Sequence, residues 1–268
     1  MMKKYGLFLF SLLASGFFLA GTSSAAAFES SGLQPVAPYG VFSTFSADGL
    51  KQGKAAASVS LEKGSEPDFY RYSAHIAYGF ANNVEFSMSV PYVSEWEKKI
   101  SGFEDMAVGI KHGFFTEGRY GPSVAYIVTG SFGSGRDEFS TDGALGVGLV
   151  VSKRVGPVSG HANLIYSTPD KSSLRDNVAF AAGFDFSVAH NFKILAELYG
   201  KKSYYSSEID QLEARFGYRF LTRENIFTTI GAGFDIKDRS PQYRVMLSVT
   251  VACPKEKRVI RKVFEEGE

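Results

Sequence analysis

The sequence predicts an all-β fold: a closed antiparallel transmembrane up-and-down β-barrel of about twelve strands. Three observations predict it: an export signal at the start, recurring alternation of apolar and polar residues, and connections that alternate between short turns and longer charged loops. Each alternating stretch has roughly 9–13 residues, the length that a tilted strand needs to cross a bilayer. Strands of soluble proteins usually have about 5–6 residues.

Residues 1–27 have the three parts of a secretory signal peptide. Two lysines follow the initial methionines, an apolar stretch covers residues 7–20, and Ala25 and Ala27 are spaced for cleavage before Phe28. The apolar stretch is too short to cross a bilayer. No second long apolar run follows it, so the sequence argues against a helical membrane protein. The three-part pattern itself favours export.

Residues 28–53 precede the first predicted strand. Residues 39–45 alternate only weakly, and a short helix is expected over residues 46–50. A further strand here would make the strand number odd and place the two termini on opposite sides of the membrane. We therefore interpret residues 28–53 as a periplasmic lead-in or a partial plug that folds into the lumen.

Residues 54–252 are predicted to form the barrel wall. The stretch between Val84 and Tyr92 shows the pattern, because its apolar residues alternate with Glu85, Ser87 and Ser89. In a soluble barrel the apolar face would point inward, but lipocalin-like barrels have about eight strands and sandwiches use Greek-key connections. The strand length, the strand number and the export signal favour an apolar face toward lipid and a polar face toward the lumen.

The polar face carries charges of both signs, which suggests mutual neutralisation across the lumen. Antiparallel register predicts that Glu197 approaches Arg215, and Glu85 and Lys111 lie on adjacent strands. Asp235 is expected diagonally from Arg244. Such pairs could brace a narrow barrel or select solutes. The candidate lumen-lining residues are Arg71, His75, Glu85, Lys111, His161, Asp185, Lys193, Glu197, Lys201, Glu213, Arg215, Arg219, Asp235 and Arg244.

Glycines recur on the same inward face. They either leave local room in the lumen or permit strand curvature. The inward glycines are those at positions 79, 109, 146, 148, 183, 217, 231 and 233.

The connections predict the orientation of the barrel in the membrane. The short connections are predicted to be periplasmic and the longer ones external, and an even strand number returns both termini to the periplasm. Residues 253–268 are then a charged periplasmic tail.

Composition argues against several function classes. The net charge of +1 gives no electrostatic reason to bind nucleic acid. The one cysteine, Cys253, cannot form an internal disulfide, and no Cys/His spacing or glycine-rich phosphate loop indicates a metal or a cofactor. The expected partners are therefore the outer-membrane bilayer and a small-molecule solute. Nothing in the sequence indicates an oligomeric state.

One region resembles a known family. The stretch DFYRYSAHIAYGFANNVEFSMSVPYV, followed by GFEDMAVGIKHGFF, resembles the outer-membrane proteins of the MetA-pathway of phenol degradation family. The matching features are a strand that ends in Tyr-Gly-Phe, a turn, a strand that ends in Pro-Tyr, and Gly-Phe-Glu-Asp before the next strand. The resemblance implies a β-barrel that passes small compounds, often aromatic or apolar, across the outer membrane.

A channel or transporter for small molecules is the function that these features favour. One alternative is a structural or adhesion barrel with a blocked lumen. Another is an outer-membrane acyl hydrolase that uses His75 or His161 with Ser73 or Ser159, each two residues away on the same face. Because no Gly-x-Ser-x-Gly motif marks a nucleophile, we do not expect an enzyme.

Overall fold

The computed structural model describes residues 32–97, 99–203, 209–237 and 241–253. The predicted signal peptide, the start of the lead-in and the charged tail after Cys253 lie outside these residues. The described residues form a single antiparallel sheet. Its strands are β1 (Ala55–Ser65), β2 (Phe69–Ala81), β3 (Val84–Trp96), β4 (Ile100–Phe103), β5 (Met106–Phe115), β6 (Ser123–Phe132), β7 (Gly143–Val155), β8 (Val158–Pro169), β9 (Asn177–Ala189), β10 (Phe192–Ser203), β11 (Gln211–Arg223), β12 (Ile226–Asp235) and β13 (Tyr243–Cys253).

The sheet closes on itself, because β1 pairs with β13 along its whole length, from Ala55 opposite Cys253 to Ser65 opposite Tyr243. Strands β4 and β5 both pair with β3, so they occupy one wall position that is interrupted at residues 104–105. All other pairs join neighbours in the chain. The wall is therefore a twelve-position up-and-down barrel, and the predicted fold is confirmed.

The barrel is apolar outside and polar inside. On the outer face Val59, Ile76 and Leu145 are 62%, 51% and 67% exposed, whereas Arg71 and Arg215 on the inner face are each 1% exposed. Large apolar side chains cover the outer surface of most strands, far beyond the patches that soluble monomers expose. The assignment of the apolar face to the outside is therefore correct.

The connections only partly follow the predicted alternation of short and long. Tight turns at residues 82–83, 156–157 and 190–191 lie at one end, hereafter the short-turn end, and longer loops at residues 133–142 and 170–176 lie at the other, the long-loop end. Strict alternation is wrong in three places. Only residues 97–99 separate β3 from β4 at the long-loop end. Residues 66–68 are a short turn at the long-loop end, because β1 extends to Ser65, into the charged stretch of residues 63–68 that was expected to be a loop. Residues 116–122 are a longer connection at the short-turn end.

No helix in the described part of the chain is long and apolar enough to cross a bilayer. The short helix expected over residues 46–50 is also absent. Its backbone groups bond to the barrel wall instead: Leu50 N–H donates to Glu85, and the Lys111 ammonium donates to the Ser46 carbonyl. These groups cannot then form the i to i−4 bonds of a helix.

Candidate functional site in the barrel lumen

Residues 32–50 lie inside the barrel, and we call them the inserted segment; residues 51–53, which follow, are exposed. Leu33, Phe45 and Leu50 are each 2% exposed. Residues 39–46 turn back on themselves, because the Val41 N–H donates to the Thr44 carbonyl at 2.9 Å. This local turn contributes few bonds of its own, so the wall must hold the segment in place.

The carboxylate of Glu197 on β10 is the main acceptor for the segment. It receives the N–H groups of Phe42, Ser43 and Thr44 at 3.1, 2.8 and 2.8 Å, and the Thr44 hydroxyl at 2.7 Å. Three successive N–H groups that converge on one anion form a backbone nest. Arg215 donates to the same carboxylate at 3.0 Å.

Two cations hold the carbonyl groups of the segment. Arg219 on β11 donates to the carbonyls of Gly40 and Val41 at 2.8 and 3.0 Å. Lys111 on β5 donates to the carbonyls of Ser46 and Asp48 at 3.0 and 3.2 Å. Charged wall residues therefore bind both the donors and the acceptors of an irregular backbone, which leaves few of its polar groups without partners.

Inward glycines make room for the segment. A Cβ atom on Gly231 would lie 2.4 Å from the Phe42 ring, and one on Gly217 would lie 2.9 Å from it. A Cβ on Gly79 would lie 2.3 Å from the carbonyl oxygen of Lys51, the residue directly after the segment. Gly217 on β11 lies opposite Gly231 on β12 in the register, so the two glycines leave one shared space for the Phe42 ring. The room that these glycines leave is occupied by the chain itself.

An ion-pair network lines the wall toward the long-loop end. Arg71 donates to Glu104 at 2.8 Å and lies 3.9 Å from Glu62. Arg244 donates to Glu62 at 2.8 Å and approaches Glu213 at 3.2 Å. Glu62 and Glu104 were not among the predicted lumen residues. Glu62 could have been predicted, because it lies on the polar side of the alternation in β1, the side that points to the lumen.

The network continues toward the inserted segment. Arg215 bridges Glu213 and Glu197 at 3.0 Å each, which includes the pair that the register predicted. Glu85 and Lys111, also expected to be neighbours, lie 3.4 Å apart. Because opposite charges lie within 2.8–3.9 Å of each other along the network, it braces the wall and the segment together.

The predicted lumen residues fall into two groups by burial. The first group is almost completely buried from solvent and consists of Arg71, His75, Glu85, Lys111, Asp185, Glu197, Glu213, Arg215, Arg219 and Arg244. Those that are half-buried are His161, Lys193, Lys201 and Asp235, the last two near the long-loop end of their strands. Arg244 lies opposite Gly233 in the register, and Asp235 is two positions further along the same strand. Asp235 is therefore diagonal to Arg244, as expected.

His161 has different neighbours from those the hydrolase alternative required. Its Nδ1 lies 2.8 Å from the Ser152 hydroxyl, and its Nε2 lies 3.4 Å from Asp185. Ser159 instead receives a bond from Arg154. The Ser152 oxygen also accepts the Ala47 N–H at 2.8 Å, so this hydroxyl joins the wall to the inserted segment.

Aromatic side chains cover part of the lumen at the long-loop end. Phe69, Trp96 and Phe139 form a buried cluster, with ring centroids 5.3 Å apart for Phe69 and Trp96 and 6.1 Å apart for Trp96 and Phe139. Phe139 belongs to the loop of residues 133–142. That loop therefore folds over the mouth of the barrel and does not extend away from it.

Asp105 anchors this loop. Its carboxylate accepts the N–H of Gly135 at 3.0 Å, the hydroxyl of Ser140 at 2.7 Å, and both the N–H and the hydroxyl of Thr141 at 2.7 and 2.6 Å. Burial alone would raise the pKa of Asp105, but these hydrogen bonds outweigh it and lower the pKa below its usual value. The ionised form therefore holds the loop.

Replacing Asp105 with Asn should release the loop at neutral pH. Hydrogen bonds to a charged acceptor contribute about 1.5–3 kcal/mol, so trypsin cleavage after the exposed Arg136 should accelerate roughly tenfold or more. Asp142→Asn, a change in the same loop at a carboxylate without these bonds, should have little effect. Equal cleavage of the two variants would contradict the anchor.

The same anchor predicts acid sensitivity. Because the folded-state pKa is depressed, the stabilisation is present at neutral pH and is lost as the pH falls through that depressed value. Hydrogen exchange of residues 133–142 in the unaltered protein should therefore rise only below the ordinary aspartate value of 3.8. In the Asp105→Asn variant that acid step should be absent.

Comparison with known proteins establishes the fold. No family model and no curated protein matches the sequence. Several solved structures match the fold, among them the KdgM porin, with 13% identity and a TM-score of 0.56 over 73% of this chain and 98% of that chain. The NanC porin matches with 12% identity and a TM-score of 0.56 over 73% and 98%. An outer-membrane channel from Pseudomonas putida F1 matches with 13% identity and a TM-score of 0.58 over 82% and 99%.

Proposed function

We propose that this chain is an outer-membrane channel for small molecules, and that the inserted segment occupies its conduction path in the closed state. The observation that carries the proposal is the inverted barrel: an apolar outer face, and a charged inner face that holds an irregular segment by hydrogen bonds. The structural neighbours reported above are porins and channels, which supports the same function.

Several finer assignments belong to this proposal. The tight turns and both termini face the periplasm, with residues 1–27 removed on export and residues 253–268 as a periplasmic tail. The fourteen predicted lumen residues line the path, together with Glu62 and Glu104. Membership of the MetA-pathway of phenol degradation family, and with it a preference for aromatic or apolar compounds, is supported by the resemblance over residues 68–93 and 102–115.

A structural barrel with a permanently blocked lumen is the competing function. The contacts of the inserted segment favour a movable block, because most are hydrogen bonds to charged side chains that water can replace. The sequence has one cysteine, so no internal disulfide fixes the segment to the wall. One solved complex of the KdgM porin contains oligogalacturonate, which supports passage of solutes through a barrel of this type.

Planar-bilayer recording on the purified full chain tests the function. A channel should give discrete current steps, and liposomes that contain it should swell in solutions of small solutes. Liposomes that contain the heat-unfolded protein are the control. Folded protein that gives neither current steps nor swelling would contradict the channel and favour the structural barrel.

A further inference from the structure

One part of the inner wall carries a band of hydroxyl groups, which lies between the ion-pair network toward the long-loop end and Glu85 near the short-turn end. It is formed by β12, β13, β1, β2 and β3. Register places Ser58 opposite His75 and His75 opposite Ser89. Ser60 lies opposite both Ser73 and Ser248. Inward hydroxyls on adjacent strands therefore form a continuous polar surface, with one imidazole in it.

A cavity of about 40 Å³ lies between this wall and the inserted segment. Its lining includes Ser58, Ser60 and His75 from the wall, and Gln34 and Ser43 from the segment. Roughly 10–15 Å³ of such volume is needed for each water molecule, so the cavity accepts two or three. It is large enough for the hydroxyl end of a solute, but it does not hold a large ring in this state.

Polar groups around the cavity lack partners. His75 is 4% exposed, and neither of its ring nitrogens has a hydrogen-bond partner in the part of the chain that the structure describes. The same holds for the buried hydroxyl oxygen of Ser60 in the cavity lining, and for that of Ser89, which lies outside the lining but neighbours His75 in the register. Buried polar groups are normally satisfied, so these groups indicate a partner from outside the protein.

The charged groups near the cavity already have hydrogen-bond partners. Glu62 accepts from Arg244 at 2.8 Å and from Gln34 at 3.0 Å. Arg215 is shared by two carboxylates, and Arg219 donates to Thr229 and to two main-chain carbonyls. An ionic solute would have to displace these hydrogen-bond partners to bind one of the charged groups directly. A neutral solute would not.

We propose that His75, with Ser60 and Ser89, forms a binding subsite for a hydroxyl group of a neutral solute. A neutral imidazole offers one donor and one acceptor, and a hydroxyl group offers one donor and two lone pairs, so the two groups complement each other. Solutes of this class would pass between the hydroxyl-lined wall and the inserted segment. The inference rests on the proposed channel function and adds its solute class.

Liposome swelling tests the subsite with erythritol as a neutral polyhydroxyl probe and glycerate as an anion of similar size. His75→Phe removes the ring donor and acceptor while an aromatic ring still fills the position. It should lower the swelling rate in erythritol roughly tenfold, as expected for the loss of two hydrogen bonds. Ser60→Ala should lower it about threefold. His112→Phe, which changes a histidine on the outer face, should leave it unchanged.

The outcomes separate this inference from the channel function. If the unaltered protein neither conducts nor passes erythritol, the channel function is wrong. If it passes erythritol, but His75→Phe and Ser60→Ala pass it at the same rate, the channel stands and the subsite is wrong. Swelling in glycerate that exceeds swelling in erythritol would also overturn the neutral solute class.

Binding itself has a spectroscopic readout. The sequence has four histidines, so ring-nitrogen signals of the labelled barrel can be assigned by single substitutions. Addition of erythritol should shift the His75 signals and leave those of His112 in place. Absence of any shift at His75 at concentrations that saturate swelling would overturn the subsite.

Discussion

Deletion of residues 33–50 should raise the single-channel conductance several-fold. These residues fill the lumen and are surrounded by the charged residues and hydroxyl groups of the wall, and no wall residue would have to move to vacate the space. Water would then solvate Glu197, Arg219 and Lys111, whose present partners are mainly backbone groups of the segment. The barrel should still fold, because its strand pairing does not depend on the segment.

A reversible cross-link provides the matched control for this deletion. A Cβ atom on Gly183 would lie 3.3 Å from the Cβ of Val41, close to the separation in disulfides. In a Cys253→Ser background, Val41→Cys with Gly183→Cys should conduct less when oxidised, and reduction should restore the current. The two single-cysteine variants should not respond to the redox state. If oxidation leaves the current unchanged, or deletion fails to raise it, the segment does not block the path.

The barrel could be predicted because its signal is local. From Val84 to Val90 the polarity of each residue indicates the face of the strand on which it lies, and twelve such stretches with tight turns leave few alternative topologies. The outward direction of the apolar face required only strand length and export as additional facts. The same parity also identified Arg71, Glu197 and Arg215 as inward residues.

The fold of the inserted segment could not be predicted in this way. Its hydrogen bonds join Phe42, Ser43 and Thr44 to Glu197, more than 150 positions away, and they use backbone groups that every residue possesses. A local pattern cannot show that a distant carboxylate competes with helix formation. The one available signal was steric, since Gly217 and Gly231 leave a gap on adjacent strands that a large side chain must fill.

The hydroxyl groups are missing from the candidate lumen residues for a different reason. Ser60 and Ser89 lie on the predicted polar face, but serine is common on any wet surface, and only burial without a partner makes it informative. Glu104 lies where the wall is interrupted between β4 and β5, so strand parity could not assign it a direction.

Substitution of Met88 by Arg should destabilise the barrel far more than substitution of Phe86 by Arg. Both side chains lie on the outer face of β3, and Met88 is nearer the middle of the strand, opposite Ile76 and Val108. An arginine at the bilayer midplane costs about 2–4 kcal/mol, and one near an interface about 0–1 kcal/mol. At position 88 its cross-strand neighbours are apolar, so no carboxylate compensates the charge.

The measurement is the free energy of unfolding by denaturant from lipid vesicles, with Met88→Leu as the control for loss of the native side chain. Met88→Leu should change the free energy little, because it conserves volume and polarity. If the outer face of this barrel met water instead of lipid, both positions would be hydrated and both arginines would be tolerated. Equal costs at positions 86 and 88 would therefore contradict this placement of β3 in the bilayer. A cost that rises from position 86 to position 88 requires an apolar medium outside the barrel, because only such a medium makes the penalty depend on depth.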